Sequence, residues 1–144
     1  MSSIPLQVVL HTNSLVSALR SKRGASFKLL SLLGTGSFQT HLSVPLVFGY
    51  EDVLSRHQQE LGRSSVEIQD FLDYVCSTAT HHDVYFLWRP FLSDPDDDMV
   101  LDLAVNAGCS YIVTYNLRRF RGLDFFGLEA ITAQILLAHL EALS

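Results

Sequence analysis

Val8-Val9-Leu10-His11-Thr12-Asn13 is an apolar run that ends in small polar residues. A buried parallel strand reads this way where it opens into a site at the carboxyl end of a sheet. Its counterpart is Asp94-Pro95-Asp96-Asp97-Asp98, which sets four carboxylates within five residues just where helical periodicity begins. One or two acids there would cap free N–H groups and complement the helix dipole. Four exceed that need and repel one another unless solvated or neutralised by a cation. Strand-end polar groups beside clustered acids point to a hard divalent ion such as Mg or Mn. His11 stands where such a site would be expected to carry an acid, and as a ligand it is softer and neutral.

Outward from these two segments, short apolar runs alternate with longer amphipathic ones. Leu6–Leu10 reads as a buried strand, with a helix opening at 14–19. Residues 25–33 carry a helical apolar face that Gly34 and Gly36 stop. Phe38–Leu42 reads as a second strand, and Pro45 suits the first turn of a helix to about His57. Ser64 and Glu67 have capping-box spacing ahead of Ile68, Phe71, Leu72 and Val75. A third strand is expected at 83–87, a helix at 97–107, a fourth strand at 111–114 and a fifth at Glu129–Ile131. Thr132 would then cap a last helix reaching Leu143. Strands alternating with helices predict an α/β domain in three layers, α/β/α, around a mostly parallel sheet. By that reading 1–144 is a single domain, with His11-Thr12-Asn13 and Thr114-Tyr115-Asn116 at the carboxyl ends of strands.

The 144 residues are 48% hydrophobic and 17% charged, a composition that supports a packed core rather than a disordered chain. The net charge of -5 argues against a broadly basic nucleic-acid surface. Local basic runs remain at Arg20-Ser21-Lys22-Arg23 and Arg118-Arg119-Phe120-Arg121. Cys76 and Cys109 have no CxxC spacing, so neither a zinc site nor a disulfide framework is indicated. The start of the chain has no signal-peptide pattern and no stretch reaches transmembrane length, so no membrane role and a reducing cytoplasm are expected. His81-His82 is a poor chelating pair because adjacent residues point apart, and His41, His57 and His139 have no evident partners in sequence. No nucleophile elbow, P-loop or dinucleotide fingerprint occurs.

Taken in order and spacing, these segments resemble the PIN domain, the fold of VapC-like toxin ribonucleases of bacterial toxin–antitoxin systems. The resemblance covers nearly the whole chain. It rests on Val8–Asn13 with Leu15-Val16-Ser17-Ala18-Leu19, on Ser43-Val44-Pro45-Leu46-Val47-Phe48-Gly49-Tyr50-Glu51, on 94–98, and on Ile112-Val113-Thr114-Tyr115-Asn116.

The resemblance implies a metal-dependent endoribonuclease in which acids hold Mg or Mn, the metal lowering the pKa of bound water and stabilising charge on the phosphate. It implies Asp94, Asp97 and Asp98 as metal ligands and catalytic groups, with His11 as a replacement ligand. Thr114 and Asn116 would orient water or phosphate, and Asn13, Arg118 and Arg119 would meet the RNA. The partners implied are RNA, a small antitoxin protein and a second copy of the chain. Three positions depart from the family pattern: His11 for an Asp, Gly49 for a Glu, and Arg119 for an acid. Glu51 does not replace the acid at 49, because two residues along a helix turn roughly 200°. Losing these acids weakens the hold on a hard cation. A catalytically inactive PIN-like domain that binds RNA or a protein partner is therefore the alternative, ahead of a phosphatase-like α/β domain, for which no nucleophile motif exists.

Overall fold

Strand β1 (Leu6–Leu10) is the middle strand of a five-stranded sheet in a computed structural model that describes residues 5–84 and 87–143. The other strands are β2 (Phe38–Leu42), β3 (Thr80–His81), β4 (Tyr111–Val113) and β5 (Glu129–Ile131). They lie in the order β3-β2-β1-β4-β5, every pairing parallel. Parallel neighbours require crossovers, and helices supply them. These are α1 (Thr12–Arg20), α2 (Ala25–Ser31), α3 (Val44–Arg56), α4 (Gln58–Leu61), α5 (Ser65–Thr78), α6 (Pro95–Asn106) and α7 (Ala133–Leu143). Helix α2 packs on α1 and α7, while α3 packs on α5 and α6, giving the three-layer α/β/α arrangement.

The middle of the sheet is the dry centre of the molecule. Val8, Val9, Ile112 and Val113 are fully buried, as are Leu15, Leu46, Leu54, Leu101 and Leu103 from the helices around them. Helix α6 is enclosed on most sides, so its acids Asp97, Asp98 and Asp102 are buried too. Buried carboxylates have to be paired or hydrogen-bonded, and each of these three is.

Capping follows the sequence closely. Ser64 and Glu67 form the full reciprocal box ahead of α5. Ser43 caps α3 with Pro45 in its first turn, and the Thr132 hydroxyl accepts from Ile135 N–H at 3.2 Å. Helix α6 begins two residues earlier than its periodicity predicts: Asp94 is its N-cap, accepting from Asp96 N–H at 2.9 Å, and Pro95 occupies the first turn. Helix α1 likewise starts at Thr12, directly after the strand-end His11.

The third strand is where the sequence reading needs correcting. It spans Thr80–His81, not 83–87; Asp83, Val84 and Leu87 are not in strand, and 85 and 86 lie outside the described residues. The cause is the length of its partner. β2 ends at Leu42 because α3 begins at Val44, so pairing stops at Leu42↔His81 after a last bond from His82 N–H to the Leu42 carbonyl at 2.8 Å. Beyond that point an apolar run has no strand to pair with. The histidines at this edge gain partners that sequence spacing did not reveal: His41 Nδ1 lies 2.6 Å from His82 Nε2, and His41 Nε2 lies 2.5 Å from Gln7 Oε1.

Candidate functional site

The register Leu10↔Val113 places the carboxyl ends of β1 and β4 side by side at the point where the sheet order reverses. His11 N–H continues the ladder to the Val113 carbonyl at 2.8 Å, so His11 and Thr114 leave the sheet together. The buried Tyr50 hydroxyl donates to the Leu10 carbonyl, tying α3 to the same strand end. Burial pushes the Tyr50 hydroxyl pKa well up, so it remains a donor.

Thr114, itself fully buried, is the junction of this corner. Its Oγ1 lies 2.8 Å from His11 Nδ1, accepts from Asn13 Nδ2 at 3.3 Å, and accepts from Asn116 N–H at 3.1 Å. A hydroxyl has two lone pairs and one proton. With both lone pairs used, the proton goes to His11 Nδ1, which fixes the neutral imidazole with its hydrogen on Nε2. That Nε2–H faces Asp97 Oδ1 at 3.1 Å. Asn13 completes the corner by accepting from Tyr115 N–H at 3.2 Å.

On the facing side, α6 runs down from this end of the sheet, so its first turn presents Asp94 and Asp97. Between them sits Arg119, carried by the short 3-10 turn Leu117–Arg119 that follows Asn116. Its Nε donates to Asp97 Oδ2 at 2.7 Å and its Nη2 donates to Asp97 Oδ1 at 2.8 Å and Asp94 Oδ2 at 3.0 Å. This is the paired fork geometry that only a guanidinium offers a carboxylate. The ring of Phe120, next in the chain, meets His11 edge-on at 5.0 Å. Burial alone would raise the Asp97 carboxyl, but hydrogen bonds from His11 and Arg119, with the charge of the guanidinium, outweigh it and hold the group below its ordinary value.

The remaining acids of the cluster face other work. Asp98 Oδ1 accepts from Leu92 N–H at 2.8 Å and Phe91 N–H at 3.3 Å. Asp102 accepts from Trp88 N–H at 2.8 Å and Arg89 Nε at 2.8 Å. The shared helical face of Asp98 and Asp102 is thus the anchor of the loop before α6. Asn116 gives its N–H to the corner and lines, with Ser93, Asp94, Pro95, Arg118 and Arg119, an opening of about 640 Å³. On the other side of Arg119 is a cleft of about 540 Å³, lined by His11, Asn13, Arg20, Arg56, Tyr115 and Arg119 among others. Arg56 is an addition that no sequence spacing signalled: it meets Arg20, of the first basic run, through the packing of α1 against α3, while Tyr115 enters the cleft from the end of β4.

The donor set does not suit a hard divalent ion. Both oxygens of Asp97 are held by His11 and Arg119, and Asp94 is shared between Arg119 and the Asp96 N–H. A fixed positive charge already lies between the two acids. Gly49, where a third acid would be needed, faces the Met99 methyl. Among the described residues no three His, Cys, Asp or Glu side chains are grouped so as to hold a metal.

A sequence model described as the PIN domain matches residues 7–118 of the chain, which includes His11, Asn13, Asp94, Asp97, Thr114 and Asn116 and stops just before Arg119 and Phe120. Comparison with curated protein sequences gave no match. Among solved structures, a chain from the crystal structure of VapBC2 of Rickettsia felis, bound to a DNA fragment from their promoter, superposes with a TM-score of 0.60. The identity is 16%, over 87% of this chain and 97% of that one, a likeness of fold. Among the described residues no helix is long and apolar enough to cross a membrane. The family model spans most of the chain and the fold agrees with it: the chain belongs to the PIN-domain family.

Proposed function

We propose that this protein is a PIN domain that binds RNA through its strand-end cleft without metal-dependent hydrolysis. The observation that carries the reading is Arg119, whose guanidinium lies between Asp94 and Asp97 in place of a cation. Phosphodiester cleavage in this family chemistry needs a metal-activated water. Here the residues that would hold Mg or Mn, namely Asp94, Asp97, Asp98 and His11, are committed to hydrogen bonds within the chain. What remains is a cleft whose walls carry Arg20, Arg56 and Arg119. Among the described residues, Arg20 and Arg56 are engaged only in exposed ion pairs, with Glu60 and with Asp52 at 3.0 Å. Exposed pairs of this kind are weak in water, so phosphate groups compete for these arginines at little cost. Asn13 and Arg118 stand at the two ends of the path.

A protein partner of the antitoxin kind is favoured by a separate feature. Between α1, α2 and α5 lies a groove of about 210 Å³ with almost no polar surface, lined by Ala18, Leu19, Phe27, Leu30, Phe71 and Tyr74. It suits the apolar stripe of one short amphipathic helix. The structural neighbour from Rickettsia felis is itself part of a VapBC assembly, which supports the same reading.

The test is a structured RNA incubated with purified protein in Mn, in Mg and in EDTA, with binding and cleavage both read. Binding that is insensitive to EDTA, lost in an Arg20→Ala/Arg56→Ala variant and unaccompanied by cutting is the expected result. Metal-dependent cutting that disappears in Asp94→Ala/Asp97→Ala would establish an active endoribonuclease and overturn the proposal.

A further inference from the structure

Four aromatic side chains from two distant loops meet on one surface, outside the strand-end corner. Phe91 and Phe125 lie nearly parallel with ring centroids 6.4 Å apart, and Phe126 meets Phe91, Phe125 and Trp88 edge-on at 5.0, 5.0 and 5.2 Å. Phe125 is 76% exposed, Trp88 43% and Phe91 41%, so the cluster offers rings to solvent rather than closing over them. Exposed apolar area of this kind marks a contact surface.

The cluster is built to stay open. Asp98 and Asp102 hold the backbone of Phe91, Leu92 and Trp88 from the buried side. Gly122 has φ +78, and a Cβ there would come within 3.2 Å of Phe91, so glycine lets the second loop close on the first. The chain on either side leads straight to the opening between Asp94 and Arg118. Ser93 and Asp94 follow Leu92, and Arg118 and Arg119 precede Gly122. Arg118 and Arg121 are exposed and, among the described residues, have no carboxylate within ion-pair distance. Asp124, in the same turn as Phe125, is the one acid of that turn.

We infer that this cluster is a stacking platform for unpaired bases of single-stranded RNA, with the backbone running past Arg121 and Arg118 into the cleft. The inference rests on the RNA-binding reading above and extends it to a strand with splayed bases. Flat, exposed rings flanked by arginines suit bases and phosphates together. A second copy of the chain would bring the same arginines face to face with their equals.

Trp88 is the sole tryptophan of the chain, so its fluorescence reports the platform directly. The probes are an oligouridine of about 12 nucleotides and an abasic phosphodiester of equal length, a span suited to single-strand sites. Oligouridine is expected to quench Trp88 and to bind about tenfold more tightly than the abasic strand. Phe125→Ala, at an exposed position, removes that difference while binding of the abasic strand persists. Equal binding of both strands with a silent Trp88 overturns the platform and leaves the RNA-binding reading standing. Failure of both strands to bind overturns both readings. A Trp88 signal that changes with protein concentration alone marks an interface between copies and overturns the platform as well.

Discussion

Arg119 grips Asp97 along one edge of its carboxylate, with Nε and Nη2 at 2.7 and 2.8 Å from the two oxygens. The same Nη2 reaches Asp94 at 3.0 Å. A residue from a turn after the last central strand therefore supplies the positive charge that two helix-start acids require. Removing it by Arg119→Ala leaves Asp97 buried with His11 as its remaining partner. The expected cost is about 2 kcal/mol in urea unfolding, the figure for a broken buried pair discounted because Arg119 is over a third exposed. Arg119→Lys is expected to recover only part of it, since an ammonium cannot make the fork.

Acid sensitivity follows from Asp97. Its folded pKa is depressed below 3.8, so the pair contributes stability above that value and loses it as pH falls through the folded pKa. In His11→Ala one of the depressing hydrogen bonds is gone and burial counts for more. The acid-dependent loss from this group is then smaller and is complete at a higher pH. Acid unfolding followed by circular dichroism checks this, and an unchanged acid limb would contradict the assignment of the His11–Asp97 contact.

Asp98 is expected to act on the loop rather than on any bound ion. Asp98→Ala leaves the N–H groups of Phe91 and Leu92 without their acceptor, at a cost of about 1–3 kcal/mol. Faster amide exchange at Phe91 and Leu92, and a shift in Trp88 fluorescence, are the expected signs. Tyr50→Phe should in turn loosen α3 from β1 by about 1 kcal/mol without altering that loop.

The sequence made the architecture legible where patterns are local. The apolar runs of β1, β2 and β5, the capping box at Ser64 and the proline-led start of α3 all depend on neighbours within a few residues. The strand expected at 83–87 fails because pairing depends on the partner, and β2 is too short to extend it. The corner was legible as a set of residues but not as a set of contacts. Asp94, Asp97, Asp98, His11, Thr114 and Arg119 were all visible as candidates. That Arg119 would sit between two acids, and that Asp98 and Asp102 would turn to a loop, depends on chain separations of 22 residues or more for the first and on the loop path for the second.

Rebuilding the family's acids tests the same logic in reverse. The triple variant His11→Asp/Gly49→Glu/Arg119→Asp adds three carboxylates and removes the internal cation. At position 49 a Cβ would meet the Met99 methyl at 3.4 Å, an ordinary contact. Mn is expected to raise the melting temperature of this variant and to leave that of the unaltered protein in place. Equal responses in both would sink the idea that these three positions decide metal binding.

The most direct measurement is a calorimetric titration of Mn into the unaltered protein at neutral pH, alongside Arg119→Ala. The account predicts no saturable binding in the unaltered protein, because Arg119 already neutralises Asp94 and Asp97. Stoichiometric Mn binding there, abolished by Asp97→Asn, would contradict it.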